Sequence, residues 1–310
     1  MKKLFFGILA MAAFAACSNE NTIVTPQGAA IAFGDAFVDN STKAIYEGDA
    51  VPNEFKVWGN VQGTNATPVA LYGNDGANVQ GNGVGSVYTC EEVRYWTPSC
   101  DFNFAAIAHG TAKTVEGGLP TEISYTLDSI DPADLLYATA SAETDGSGTP
   151  TGTIATIDQD KLVAFTFNHL LAKMYFNVTS GLDSAYSIEV KSISVAGFEN
   201  KGVYTISPAG WAKADDSAKT TLTFANGAGG AKVIIPVNQT LSVTITYDVK
   251  FGETTISTNA TKTGTIAACT YEKNTVYKIS AVIGLNAIQF TTTAISGFGT
   301  DEQNGTVTIQ

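Results

Sequence analysis

From Leu241 to Phe251 the chain alternates with a period of two. Leu241, Val243, Ile245, Tyr247, Val249 and Phe251 fall on one side, and Ser242, Thr244, Thr246, Asp248 and Lys250 on the other. Successive side chains on a strand point to opposite sides of a sheet, so this spacing predicts a long strand with one solvated face. The same logic predicts strands over 31–37, 55–61, 102–108, 122–127 and 162–168. Further strands are predicted over 174–178, 188–195, 203–206, 221–224, 232–237, 254–258, 276–283 and 288–292. Clusters of Gly, Asn, Asp, Pro and Ser separate most of them, as turns require. Helical periodicity is confined to Asp131–Leu136, where Asp131 as cap and Pro132 at the first position predict one helical turn. Many short strands with frequent turns predict an all-β protein built of antiparallel β-sandwiches.

A chain of 310 residues can hold two ordinary domains or one large β-rich domain. The polar, Gly- and Pro-rich stretch 143–153 reads either as a linker or as a long hairpin loop inside the first domain. In the second case the division falls near 158–161, giving an N-terminal domain of residues 30–158 and a C-terminal domain of residues 159–310. The Gly- and Asn-rich segment 72–86 predicts an exposed loop.

The N-terminus sets the compartment. Lys2 and Lys3 precede an apolar run from Leu4 to Ala16, too short and too close to the start for a spanning helix. The order basic, apolar, small predicts a signal peptide and export. Phe14-Ala15-Ala16-Cys17 resembles a bacterial lipobox, in which the Cys thiol is acylated and becomes the new N-terminus. Residues 1–17 would then be a lipoprotein signal ending in the lipidated Cys17, and residues 18–29 a polar tether. The alternative is an ordinary cleavage site beside an incidental Cys, since Phe14 stands where a lipobox commonly has Leu. Ser18 is not Asp, so this resemblance implies the outer membrane and not retention at the inner one. An exported chain meets an oxidising compartment. Cys90 and Cys100 are candidates for a disulfide if their strands are adjacent, with Cys269 left as a spare thiol.

Charge and chemistry narrow the function classes. The formal charge is −12 and Arg94 is the single arginine, a poor composition for neutralising phosphates, so no nucleic-acid partner is expected. His109 and His169 are the two histidines, and both read as structural. Gly-x-Ser-x-Gly is absent, and Gly81-Asn-Gly-Val-Gly85 lacks dinucleotide-binding spacing. Glu91-Glu92 and Asp215-Asp216 are adjacent carboxylates that point apart on a strand or into water in a loop. Asn74-Asp75-Gly76 carries too few carboxylates to hold calcium. No catalytic residue, cofactor or metal site is therefore expected, and the chain reads as non-enzymatic.

An ordered set of motifs resembles the fimbrillin-like proteins of Bacteroidetes. It runs through the lipobox, Ile31-Ala-Phe33, Ser41-Thr42-Lys43-Ala44, Phe55-Lys-Val-Trp-Gly59, Tyr95-Trp96 and Asp101–Ala108. It continues with Phe165–Lys173, Gly202-Val-Tyr204, Ile235-Pro236 and Ile283-Gly-Leu-Asn286. The resemblance implies two tandem β-sandwich domains, the second transthyretin-like, on an outer-membrane lipoprotein. It also implies assembly into fimbriae serving adhesion. In polymerising members a protease cuts after an Arg that follows the first strand, and a strand from another subunit fills the groove so opened. Here Lys43 occupies that place, so an Arg-specific protease would not cut there and a Lys-specific one could. The tail Thr306, Val307, Thr308, Ile309 and Gln310 alternates suitably for a donated strand or, the plainer reading, for a last strand of its own domain. The expected partners are other fimbrial subunits, the outer membrane, and a host or bacterial surface ligand. A rival reading is a monomeric surface lipoprotein that binds glycans on an aromatic platform, for which Trp58, Trp96 and Trp211 are the candidates.

Overall fold

The computed structural model describes residues 29–38, 52–82, 87–152, 154–157 and 160–296. The expected signal peptide with Cys17, the tether through residue 28, Lys43 and the tail Thr306–Gln310 lie outside the described residues.

The described residues are all-β, with one short turn of 3-10 helix at Ala228–Gly230. The chain opens with β1 (Phe33–Val38), β2 (Glu54–Gly63), β3 (Val69–Ala70), β4 (Ala77–Gln80) and β5 (Val87–Cys90). Next come β6 (Cys100–Ala108), β7 (Thr111–Glu116), β8 (Leu119–Thr126), β9 (Leu136–Thr144), β10 (Pro150–Gly152) and β11 (Ile154–Ile157). The strands β12 (Asp160–His169), β13 (Ala172–Ser180), β14 (Tyr186–Glu199), β15 (Lys201–Thr205), β16 (Gly210–Lys213) and β17 (Lys219–Phe224) follow. The last are β18 (Lys232–Ile234), β19 (Asn238–Phe251), β20 (Thr254–Thr270), β21 (Thr275–Ile283) and β22 (Ile288–Ser296).

Seven strands of the first half close on themselves in the order β9-β6-β2-β4-β5-β1-β12, with β12 returning to β9. Phe33, Phe55, Phe102, Phe104, Phe165 and Phe167 fill the interior. The inner face of β9 supplies Ala138, Ala140 and Ala142, all buried. Small residues there leave room for the rings, which is why the strand has so weak a hydrophobic signature. The expected loop over 72–86 is corrected in part. Ala77–Gln80 is β4, with Ala77 and Val79 fully buried. The turn before it folds over Trp58, whose Nε1 donates to the Asn74 carbonyl at 3.0 Å. Gly76 (φ +67°) fits there because a Cβ would meet the indole at 2.6 Å.

The second half forms two four-stranded sheets, β18-β13-β21-β22 and β17-β14-β19-β20. Their buried faces contribute to one hydrophobic cluster that includes Phe176, Val195, Phe224, Val243, Ile245 and Ile279. The alternation from Leu241 holds inward as far as Tyr247; beyond it Val249 is half-buried and Phe251 exposed. The strands are not all antiparallel as expected. β1 runs parallel to β12, and β13 runs parallel to β21. A parallel pair needs a crossover, and the whole excursion β14–β20 supplies it for β13 and β21.

A fourth sheet, β16-β15-β8-β7, takes two strands from each half. Leu127 N–H extends the β8–β15 ladder by donating to the Asn200 carbonyl at 2.8 Å. A division at 158/159 would assign β12 to the second half, yet its ladders are to β1, β11 and β9 of the first. The chain passes between the two sets of sheets at Leu170 and Leu171, both buried. The helical turn expected at 131–136 does not form. Asp128 Oδ1 instead accepts the backbone N–H groups of Ile130 and Asp131, an Asx turn that competes with helix nucleation.

Both histidines meet at this crossing. His169, the last residue of β12, donates Nδ1–H to the Asp134 carboxylate, and the two side chains are each 3% exposed. His109 follows β6 in a left-handed conformation (φ +60°), and its Nδ1 lies 2.8 Å from the Asp134 carbonyl oxygen. Burial pushes the Lys173 ammonium pKa down, and the Asp134 charge pulls it partly back. Asp134 is thus the counter-charge of a buried cluster. Replacing it with Ala removes that charge while Lys173 stays buried. Asp134→Ala should lower stability by about 3–5 kcal/mol in urea unfolding. A midpoint within experimental error of the parent would show that the cluster does not form.

Candidate functional site: the seam around the first strand

Among the described residues β1 is the first strand of the ring in the sequence. It sits between β5 and β12. Among the described residues it pairs with β5 through Phe33 opposite Tyr88 and Gly34 opposite Val87. Its contact with β12 runs from Phe33 opposite Val163 to Val38 opposite Phe167, with an irregularity between Gly34 and Phe37. Ahead of it, Ile31 N–H donates to the Arg94 carbonyl at 2.8 Å and Trp96 N–H to the Ala29 carbonyl at 3.1 Å.

Side-chain packing adds to the ladders. Phe33 is fully buried, stacked on Phe165 with ring centres 5.8 Å apart and edge-on to Phe104 at 5.9 Å. Phe55 carries the contact onward to Phe165, Phe167 and Tyr88 at 5.7, 5.3 and 5.2 Å. Such pairs add about 0.5–1.5 kcal/mol each beyond area burial. At Gly34 a Cβ would stand 2.4 Å from Leu162 Cδ1, so glycine lets β1 lie close against β12. The geometry defines a slot. With β1 absent, β5 and β12 would each present an unpaired edge, and Phe104 and Phe165 would line the gap. Such a slot accepts another strand through its backbone and selects a large apolar side chain at the Phe33 position.

The other expected site residues fall elsewhere. Cys90 ends β5 and is half-buried; Cys100 begins β6 and is buried. Their strands are separated in the sheet by β4 and β2, so the condition for a disulfide is not met. Burial pushes the Cys90 and Cys269 thiols up. Trp58 and Trp96 are 1% exposed and serve the core, which removes them from any aromatic platform. Trp211 alone of the three is half-buried. Among the described residues no cluster of three His, Cys, Asp or Glu side chains could hold a metal, and no helix is long and apolar enough to cross a membrane.

A family model described as fimbrillin-like matches residues 42–296. The chain belongs to the fimbrillin-like family. Solved structures share the fold of this fimbrillin-like chain at low identity. A fimbrial protein from Bacteroides vulgatus matches with TM-score 0.53 and 13% identity, over 86% of this chain and 99% of that one. A candidate cell adhesion protein from Bacteroides ovatus matches with TM-score 0.53 and 14% identity, over 88% and 99%. Another from Bacteroides uniformis matches with TM-score 0.52 and 13% identity, over 86% and 97%. No curated protein matches the sequence.

Phe33 is the residue on which this fimbrillin-like seam depends. Phe33→Ala should destabilise the folded chain by about 3–5 kcal/mol in denaturant titration. Val69, 37% exposed, is the control: Val69→Ala should change stability by about 0.5 kcal/mol or less. Equal effects of the two substitutions would mean that β1 does not plug the ring.

Proposed function

We propose that the protein is a non-enzymatic subunit of cell-surface fimbriae, assembled by exchange of strands between copies and serving adhesion. Phe33 carries this reading. A first strand that lies between two other strands and supplies a fully buried plug is suited to replacement by an equivalent strand from a second subunit. Membership of the fimbrillin-like family supports the same assignment.

The finer elements of the proposal rest on sequence. Export as a lipoprotein would place acyl chains on Cys17 and the protein on the outer membrane. Two or three acyl chains anchor far more firmly than one. Cleavage after Lys43 would release β1, since residues 33–38 lie before it. The tail Thr306–Gln310 is the candidate donor, with Val307 and Ile309 as the apolar residues that would enter the slot. Two tandem units are read on either side of Leu170 and Leu171. The second, with its paired four-stranded sheets, is the transthyretin-like sandwich. Other fimbrial subunits and a host or bacterial surface ligand are the partners in this scheme.

The test is electrophoresis of unheated protein from producing cells, with N-terminal sequencing of each band. Strand exchange predicts an SDS-resistant ladder whose new N-terminus is Ala44, and Lys43→Gln should abolish it. A single band, still acylated at Cys17, would discard polymerisation and leave a monomeric surface lipoprotein.

A further inference from the structure

Charge is divided unevenly along the chain. Residues 29–169 hold 18 Asp and Glu against 5 Lys and Arg, a balance of −13. Residues 170–296 hold 8 against 10, a balance of +2. Charges farther apart than about 8–10 Å are screened at physiological salt, so the signs that two touching surfaces display locally decide the contact.

The acidic half displays its charge on the outside of the ring. Phe102, Phe104, Ala140 and Ala142 of β6 and β9 are buried, so their neighbours Asp101 and Glu143 point outward, and both are exposed. The two carboxylates stand directly opposite each other in the β6–β9 ladder. Like charges so placed destabilise a strand pair. Neither is ion-paired among the described residues. Lys161 is turned instead to the Pro150 carbonyl, at 3.0 Å. A cation brought from outside would relieve the pair.

The second half offers the complement. The sheet β18-β13-β21-β22 contains no Asp or Glu in any of its strands. On β21, Ile279 and Ala281 face the core, so Lys278 and Ser280 face outward. Asn177 of β13 and Thr291 of β22 flank Ser280 in register, both exposed. Lys262 of β20 donates from Nζ to the Leu285 carbonyl at 2.8 Å, which sets a second ammonium beside the β21–β22 hairpin. Val282, 37% exposed, and Leu285, 82% exposed, add an apolar margin. Three strands of nine residues make a face of roughly 30 Å by 15 Å, the scale of a weak and reversible contact.

We propose that this carboxylate-free face docks on the Asp101–Glu143 face of a second copy of the chain. Charge complementarity identifies the partner, because the acidic patch that suits Lys262 and Lys278 is carried by the chain itself. The two patches are different surfaces, so the contact is heterologous. Each docked copy still offers one patch of each kind, and association continues from copy to copy. Complementary patches also guide the encounter and fix which faces meet. The contact leaves β1 seated. It goes beyond the strand-exchange reading by giving the copies a second, reversible way to associate.

The experiment is sedimentation velocity on the purified chain with β1 in place, at protein concentrations up to about 1 mM and about 0.1 M salt. Species larger than a dimer should form as concentration rises, and about 1 M salt should dissolve them. Asp101→Asn with Glu143→Gln removes one patch, and Lys262→Gln with Lys278→Gln removes the other. Each variant alone, with an unchanged unfolding transition, should associate about tenfold more weakly or not at all. A mixture of the two keeps one intact patch of each kind and should form a one-to-one pair that grows no further. A parent that stays monomeric overturns the proposal, as does association that survives either double substitution or a mixture that fails to pair. A parent that is monomeric yet binds an immobilised polyanion through Lys262 and Lys278 also overturns it, in favour of an acidic partner of another kind. Failure of the fimbrial reading would appear as a missing SDS-resistant ladder and leave this measurement untouched.

Discussion

A sheet edge exposes backbone amides and carbonyls that must be paired by something. In this protein the seven-stranded ring meets that requirement only while β1 is seated between β5 and β12. The interior follows from the same fact. Phe33 completes a chain of rings that runs through Phe165, Phe104 and Phe55 to Phe167 and Tyr88. Backbone closure and core packing thus meet in one short segment.

The rest of the molecule is organised away from that seam. The fourth sheet ties β7 and β8 to β15 and β16, and the buried cluster of the second half reaches Ile123, Tyr125 and Leu127. The crossing at Leu170 and Leu171 is fixed from several sides. Leu170 N–H donates to the Leu135 carbonyl, Trp211 holds the Leu170 carbonyl, and Asn274 holds that of Leu171. Asp134 places a carboxylate there that accepts a hydrogen bond from His169 and whose charge partly offsets the burial of Lys173. These contacts tie the two halves together at a place remote from the first strand.

Legibility in the sequence tracked the strength of local apolar alternation. β2, β6, β12, β14 and β19 carry large side chains at period two and were readable. β9 was not, because its inner face is Ala138, Ala140 and Ala142, and small residues leave no amplitude in the pattern. β20 was read as 254–258 but extends to Thr270. It is Thr-rich and exposed on both faces over much of its length, so its pairing with β19 and not burial defines it. β4 hid in a Gly- and Asn-rich stretch, since four residues with two buried positions give too short a signal. At the candidate site, Ile31-Ala-Phe33 was visible as an opening strand. Its role as the closing piece of a ring, and its parallel neighbour β12, were not, because the partners are separated by more than a hundred residues of intervening chain.

The sequence by itself determined the all-β class, most of the strands, the family resemblance and the absence of familiar catalytic motifs. Each of these depends on residue type and near-neighbour spacing. Tertiary structure decided which strands are neighbours, that two of the pairings are parallel, and that Cys90 and Cys100 stay apart. It also decided that both histidines converge on Asp134 and that Trp211, alone of the three tryptophans, is half-buried. Those outcomes depend on contacts between residues far apart in the chain, and strand pairing through identical backbone groups leaves no local mark of which partner each strand will find.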